Sequence, residues 1–211
     1  DGRRSLNLLE VAASLVDDGG EITGEIAAEA TAHRVRRFDK GGDAFYDQIS
    51  ALHKSVRGSD PDAALYWYCR MVDGGVDMSY LSRRLVRMAS EEVGNADPRA
   101  LTLALEAAQA YERLGSPEGE LALAQACVYL ATAPKSNAVY TAFKAATRAA
   151  KEGGSMMPPK TILNAPTKLM GAEGYGKGYQ YDHDEPDAFS GQNYFPEKLG
   201  RPVFYKPVER G

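Results

Sequence analysis

The stretch SDPDAALYWYCRMVDGG, Ser59 to Gly75, carries the start signal, body and stop signal of one helix. Asp60 is suited to cap the helix and Pro61 to occupy its first position, where a missing N–H costs nothing. Gly74-Gly75 ends it. Between these signals the apolar residues fall on two sides. Ala64, Leu65, Tyr68, Cys69 and Val72 form one stripe, with Trp67 and Met71 on the other. A helix of this kind needs cover on both flanks, from other helices of its own chain or from another subunit.

Working outward, the same punctuation repeats. Toward the N-terminus one helix is expected over about 44–56, and Thr23 is placed to cap an earlier one bearing Ile26, Ala27, Ala30 and Val35. A first amphipathic face runs through Leu6, Leu9, Ala13 and Val16. Toward the C-terminus Asp77 opens a helix running to Gly94, and Asp97-Pro98 opens another that ends near Gly115. Ser116-Pro117 precedes a further helix, whose Glu118 and Glu120 suit its positive end. A last one spans about 136–151. No segment alternates with period two long enough to make a strand, so the body is all-α. Beyond Gly153 the chain turns rich in Pro, Gly and Tyr. Its aromatics are too frequent for a disordered linker. It is expected to be an ordered, irregular tail packed on the helical body.

The 211 residues can bury a real core, and 44% apolar with 26% charged residues is ordinary for a soluble globular protein. A net charge of −4 argues against coating nucleic acid by charge alone. Cys69 and Cys127 match no metal-ligand spacing and read as buried free thiols in a reducing compartment. No apolar run approaches the ~20 residues that cross a bilayer, so a cytoplasmic location is expected. The chain opens without methionine, which suits a piece of something longer.

Two motifs in the tail suggest chemistry that their context does not support. Gly171-x-x-x-x-Gly176-Lys177 is most of a P-loop. It lacks a preceding strand, a following helix and the Ser or Thr that would hold magnesium. Asp182-His183-Asp184-Glu185 resembles a ligand cluster, yet it offers too few oxygens for a hard cation and one histidine for zinc. No metal site is expected there. His33 and His53 read as a surface and a partly packed histidine. Basic residues remain: Arg83, Arg84 and Arg87 share part of a helical face, with Arg57, Arg70 and Arg99 also available. Arg87 can instead pair with Glu91 one turn on. A second basic segment, Arg34 to Lys40, includes Arg36 and Arg37.

The residues from Gly42 to Leu101 closely resemble the C-terminal region of the replication-associated recombination protein A family of AAA+ ATPases, also called maintenance of genome stability protein A. The family is related to the Werner helicase-interacting protein and to clamp loaders. The tail fits as well, through Asn164-Ala-Pro-Thr-Lys-Leu-Met170, Gly174-Tyr-Gly-Lys-Gly-Tyr179, His183-Asp-Glu-Pro186 and the run from Tyr205 to Arg210. The opening Asp1-Gly2-Arg3-Arg4-Ser5-Leu6-Asn7 resembles the lid motif of clamp-loader-like ATPases. By that resemblance Arg3 is the sensor 2 arginine, which reaches the γ-phosphate of ATP in the adjoining core.

The resemblance implies a division into residues 1–37, the last part of the lid; 38–155, a helical oligomerisation domain like the clamp-loader collar; and 156–211, the tail. It also implies that the Walker and arginine-finger segments lie before Asp1. These residues alone are then expected to hold no cofactor and to be inactive, ATP and Mg belonging to the parent ATPase. The expected assembly is a homotetramer, with Tyr66, Trp67, Tyr68 and Met71 as candidate contacts. DNA and single-stranded-DNA-binding protein are the expected partners of the parent in replication, repair and recombination, in nucleoid-associated cytoplasm. Two other readings stay open: a DNA-binding module acting through Arg83, Arg84, Arg87, Arg36 and Arg37, and a helical adaptor that docks proteins on its tyrosine-rich tail. A metal-dependent enzyme is a more distant one.

Overall fold

A computed structural model describes residues 9, 12, 13, 15, 16, 19–35 and 43–209. Among them the chain forms eight α-helices, short 3₁₀ turns and no strand, which makes it all-α as the punctuation requires. The helices are α1 (Gly24–Val35), α2 (Asp43–Arg57), α3 (Pro61–Asp73), α4 (Met78–Met88), α5 (Arg99–Leu114), α6 (Glu118–Thr132), α7 (Ala138–Gly153) and α8 (Lys168–Ala172). Most of the first expected helix lies outside the described residues.

The start signals act as read. The Asp60 carboxylate accepts from the Ala63 N–H at 2.9 Å, with Pro61 opening α3. Asp77 accepts from Ser79 N at 3.0 Å at the head of α4. Thr23 Oγ1 accepts from Ile26 N at 3.4 Å ahead of α1. Replacing Asp60 with Ala orphans that N–H, and the expected cost is about 1 kcal/mol in urea unfolding. Asp60→Asn, which keeps the acceptor, is expected to recover most of it.

Two compact units divide the chain, residues 1–137 with 208–211, and residues 138–207. In the first, α6 is the hub and packs against α2, α3, α4 and α5. Its buried residues Gly119, Leu123, Ala126, Cys127, Leu130 and Ala131 recur at helical spacing over a wide face, as a helix with several neighbours needs. On α5 the buried face is Ala100, Ala104 and Ala107. Small residues let backbones approach closely here: a Cβ built on Gly119 would stand 2.8 Å from Tyr111 Cα. Leu52, Val56, Met71, Leu81, Leu85, Met88 and Val93 complete the core.

Helix α3 finds its two flanks within the chain, against α2 and α6. Ala64, Tyr68 and Met71 are buried, and Leu65, Trp67 and Val72 pack partly against the core. Cys127 is buried, which pushes its thiol up to about 12, whereas Cys69 is exposed. The expectation of two buried thiols is thereby corrected. Cys69 lies one residue past Tyr68, a rotation of about 100° that carries it off the buried face.

In the second unit the tail gathers about α7. Ala146, Ala149, Ala150 and Gly153 of that helix, with Met156, Phe195, Pro196, Leu199 and Phe204, line a cavity of about 350 Å³. No helix among the described residues is long and apolar enough to cross a membrane.

Candidate functional site

The most concentrated chemistry in the first unit surrounds Glu92. Along α4 the stripe Leu81, Leu85 and Met88 is buried, and the next position on that face, four residues after Met88, is Glu92. A π-helical turn over Ala89–Val93 continues the helix and carries the carboxylate inward, to 7% side-chain exposure. Its partners come from α2. Arg57 donates from Nε at 2.9 and 3.0 Å to the two carboxylate oxygens and from a terminal nitrogen at 2.7 Å. His53 Nε2 lies 2.9 Å from Oε1. His53 and Arg57 stand one turn apart on the face that also carries the buried Ile49, Leu52 and Val56. Burial pushes the Glu92 carboxyl up. Hydrogen bonds from Arg57 and His53, with their charges, outweigh it and leave the group below its usual range.

The same segment anchors the connection after α6. The Glu92 carbonyl accepts from Ser136 N at 2.9 Å. Lys135 Nζ donates to the carbonyls of Ala131 and Ala133 at 3.0 and 2.5 Å, capping the end of α6. Burial lowers the lysine's pKa, offset in part by the Glu92 charge. His53, Glu91 and Glu92 form one group of metal-ligating type. The Arg57 guanidinium already covers both Glu92 oxygens, so a cation would meet a fixed positive charge there. The arrangement is an ion-pair clamp between helices.

A second polar junction joins α5 to α6. Asp97 accepts from Arg99 Nε and a terminal nitrogen, both at 2.9 Å, from Arg99 N at 3.1 Å, and from the Tyr129 hydroxyl at 2.5 Å. These bonds, Arg99's first, hold its carboxyl well below the usual range. The buried Tyr68 hydroxyl donates to the Glu120 carbonyl at 2.8 Å, tying α3 to α6; burial, then the Glu120 charge, pushes this phenol up.

The candidate residues divide accordingly. Tyr68 and Met71 are core residues, so of the proposed contact set only Tyr66 and part of Trp67 reach the surface; their rings meet edge to face at 5.2 Å. The arginines are mostly engaged within the chain. Arg87 pairs with Glu91 at 2.7 Å, Arg70 with Asp73 at 3.3 Å, and Arg84 Nε donates to the Tyr80 hydroxyl at 2.8 Å while lying 4.8 Å from that ring's centre. Arg83 faces solvent. Arg3, Arg36 and Arg37 lie outside the described residues.

The P-loop-like stretch is built against phosphate binding. A phosphate cradle needs free amides, yet Gly174, Tyr175, Gly176 and Lys177 donate theirs to the carbonyls of Gly171, Met170, Lys160 and Gly174. The acidic turn has a structural centre that sequence reasoning missed. Asp182 accepts from Ser190 N (2.9 Å) and Oγ (2.7 Å) and from the Tyr194 hydroxyl (2.7 Å). Those bonds, Ser190's first, bring its carboxyl down to about 2.

What fold and polar groups define together is an all-α module in which buried or half-buried carboxylates, Glu92 and Asp97 among them, are tied into its own framework. The comparisons narrow the class. The model of the family described as MgsA AAA+ ATPase C terminal matches residues 58–211, and that of the AAA C-terminal domain matches residues 1–57. The chain belongs to the MgsA AAA+ ATPase C-terminal family. It is 57% identical to the replication-associated recombination protein A of Coxiella burnetii, across all of this chain and 49% of that protein. With the protein of the same name from Escherichia coli K12 it shares 53% identity, over the whole chain and 48% of the relative. It is 48% identical to the ATPase WRNIP1 of Dictyostelium discoideum over 80% of this chain and 19% of that protein. The chain thus spans about half the length of the bacterial relatives.

Proposed function

We propose that this chain is the oligomerisation module, with part of the lid, of a DNA-dependent AAA+ ATPase that maintains replication forks and supports recombination. The observation that carries the reading is the set of large apolar side chains left in solvent on helices whose inner faces are already filled. On α5 and α6 these are Leu105, Leu114 and Leu121, at 46, 61 and 75% exposure, and α3 adds Tyr66 at 57%. Leucines so placed add little to the monomer, and exposed apolar surface of this kind suits contact with another chain. The family match and the names of the relatives support the ATPase context.

In this reading the assembly is a homotetramer. ATP and Mg are bound by a core outside these residues, with Arg3 as the sensor 2 group. DNA and single-stranded-DNA-binding protein are partners of the assembled enzyme. The test is light scattering of the chain over a wide concentration range. A mass of four chains is expected, and Leu105→Glu combined with Leu121→Glu is expected to lower it while the helical circular dichroism stays unchanged. A monomer at every concentration overturns the reading.

A further inference from the structure

The second unit leaves aromatic rings in solvent on a braced backbone. Tyr179, Tyr181 and Tyr194 are about half exposed, at 46, 54 and 49%. The segments that carry them are tied together by Gln192, whose Nε2 donates to the Gln180 carbonyl at 2.7 Å and lies 3.1 Å from the Tyr194 hydroxyl. The Gln180 N–H returns a bond to Gln192 Oε1 at 3.4 Å. Tyr194 is held further by its hydroxyl's bond to Asp182, and the His183 ring stands 5.2 Å from that of Tyr181. The rings are therefore mounted on a cross-braced knot.

Cations border this knot. Lys177 is exposed two residues before Tyr179. Arg201 donates to the Gly191 carbonyl at 2.9 Å, which places its guanidinium beside the segment bearing Gln192 and Tyr194. Of the nearby acids, Asp182 has its oxygens occupied by Ser190 and Tyr194. Asp184, Glu185 and Asp187 lie on the turns that follow, Asp184 and Asp187 exposed, so carboxylates outnumber the two cations and stacking must carry the binding.

We propose that this knot is a binding surface for single-stranded nucleic acid, with Tyr179, Tyr181 and Tyr194 stacking on bases and Lys177 and Arg201 meeting phosphates. Every base has a π face, so exposed rings carried on a braced backbone bind single strands without reading sequence, and flanking cations supply the backbone contact. In a duplex those faces are stacked on one another and closed to the rings. With two cations the salt dependence is shallow, about 0.7 in log–log slope per phosphate contact. This inference adds to the assembly proposed above and stands independently of it.

The experiment is fluorescence anisotropy of a labelled oligothymidylate titrated with the full chain, beside a duplex of equal length. The single strand is expected to bind more tightly than the duplex. Tyr179→Ala with Tyr181→Ala is expected to weaken binding at least about tenfold, since each lost ring removes a base stack. Tyr179→Phe with Tyr181→Phe keeps the rings and is expected to leave affinity within about twofold of the parent. Lys177→Gln should lower the salt slope by about 0.7. Light scattering on the same variants separates this result from assembly, because oligomer mass is expected to be unchanged. Absence of oligothymidylate binding by the unmodified chain, equal binding of the duplex, or full affinity in the alanine pair overturns the proposal. A surface that serves a protein partner instead would give the first of these results.

Discussion

Arg57→Ala is expected to lower the unfolding free energy by about 3 kcal/mol, measured by urea denaturation at neutral pH. The loss of the arginine is only part of that cost, because its side chain is 55% exposed and can rehydrate. The larger part is the carboxylate left behind. Glu92 is 7% exposed and would keep His53 as its remaining side-chain partner. A buried carboxylate that has lost its two-toothed guanidinium partner is under-compensated, and that is what makes breaking a buried pair costly. Glu92→Gln removes the charge, so the double variant Arg57→Ala/Glu92→Gln is expected to lose less than the two single losses added together. A double-mutant cycle measures that difference directly.

The pH dependence gives the same clamp a sign. In the native protein Glu92 titrates below its ordinary value of 4.5. A depressed carboxylate contributes stability that is fully present above the unfolded value and is lost as pH falls through the folded one. In Arg57→Ala, burial acts on the carboxyl without the guanidinium, and its pKa rises. The protonated acid then becomes the tolerated form. The deficit of the variant is therefore expected to be largest at neutral pH and to shrink as the pH drops toward 4. A deficit that stays constant from pH 7 to pH 4 would show that lost packing, not the ion pair, carries the effect.

The architecture was legible because its signals are local. Asp60-Pro61, Asp77, Thr23 and the paired glycines at 74 and 75 are chemical instructions for starting and stopping helices, and the chain follows them. What helix phase alone leaves open is which neighbour covers a given side. Tyr68 and Met71 are candidate contacts when the helix is read alone, because it is apolar on two sides, and α2 and α6 of the same chain supply that cover. The Glu92 clamp had a readable signal: the stripe Leu81, Leu85, Met88 runs on into a carboxylate, while His53 and Arg57 sit one turn apart on the apolar side of α2. Joining the two required knowing that α2 lies against the end of α4, a contact more than thirty residues apart in sequence. Asp182 was missed for a similar reason. Its partners Ser190 and Tyr194 lie 8 and 12 residues on in an irregular loop, where no period reports proximity. The near-P-loop was rejected on context, and the structure supplies the physical reason in amides already bound within the turn.

Gly94→Ala is expected to be comparably damaging, at about 3 kcal/mol, and the cost should separate into two parts. Gly94 has φ +53° and ψ −135°, a backbone region that an L side chain adopts only under strain. The position is also crowded, since a Cβ there would stand 2.8 Å from the Ser136 carbonyl oxygen. Gly115 supplies the control. It has φ +72° and ψ −168°, a similar backbone demand, and nothing within 4 Å of an added Cβ. Gly115→Ala is therefore expected to cost about 1 kcal/mol, the conformational part alone. The excess of about 2 kcal/mol at Gly94 is steric. It falls on the contact that matters to the clamp, because relieving the overlap pushes Ser136 away from the Glu92 carbonyl it donates to. The excess should therefore shrink in a background where the clamp is already broken. Gly94→Ala measured in Arg57→Ala is expected to cost less than in the parent, and strict additivity of the two would mean that turn and ion pair hold the core independently.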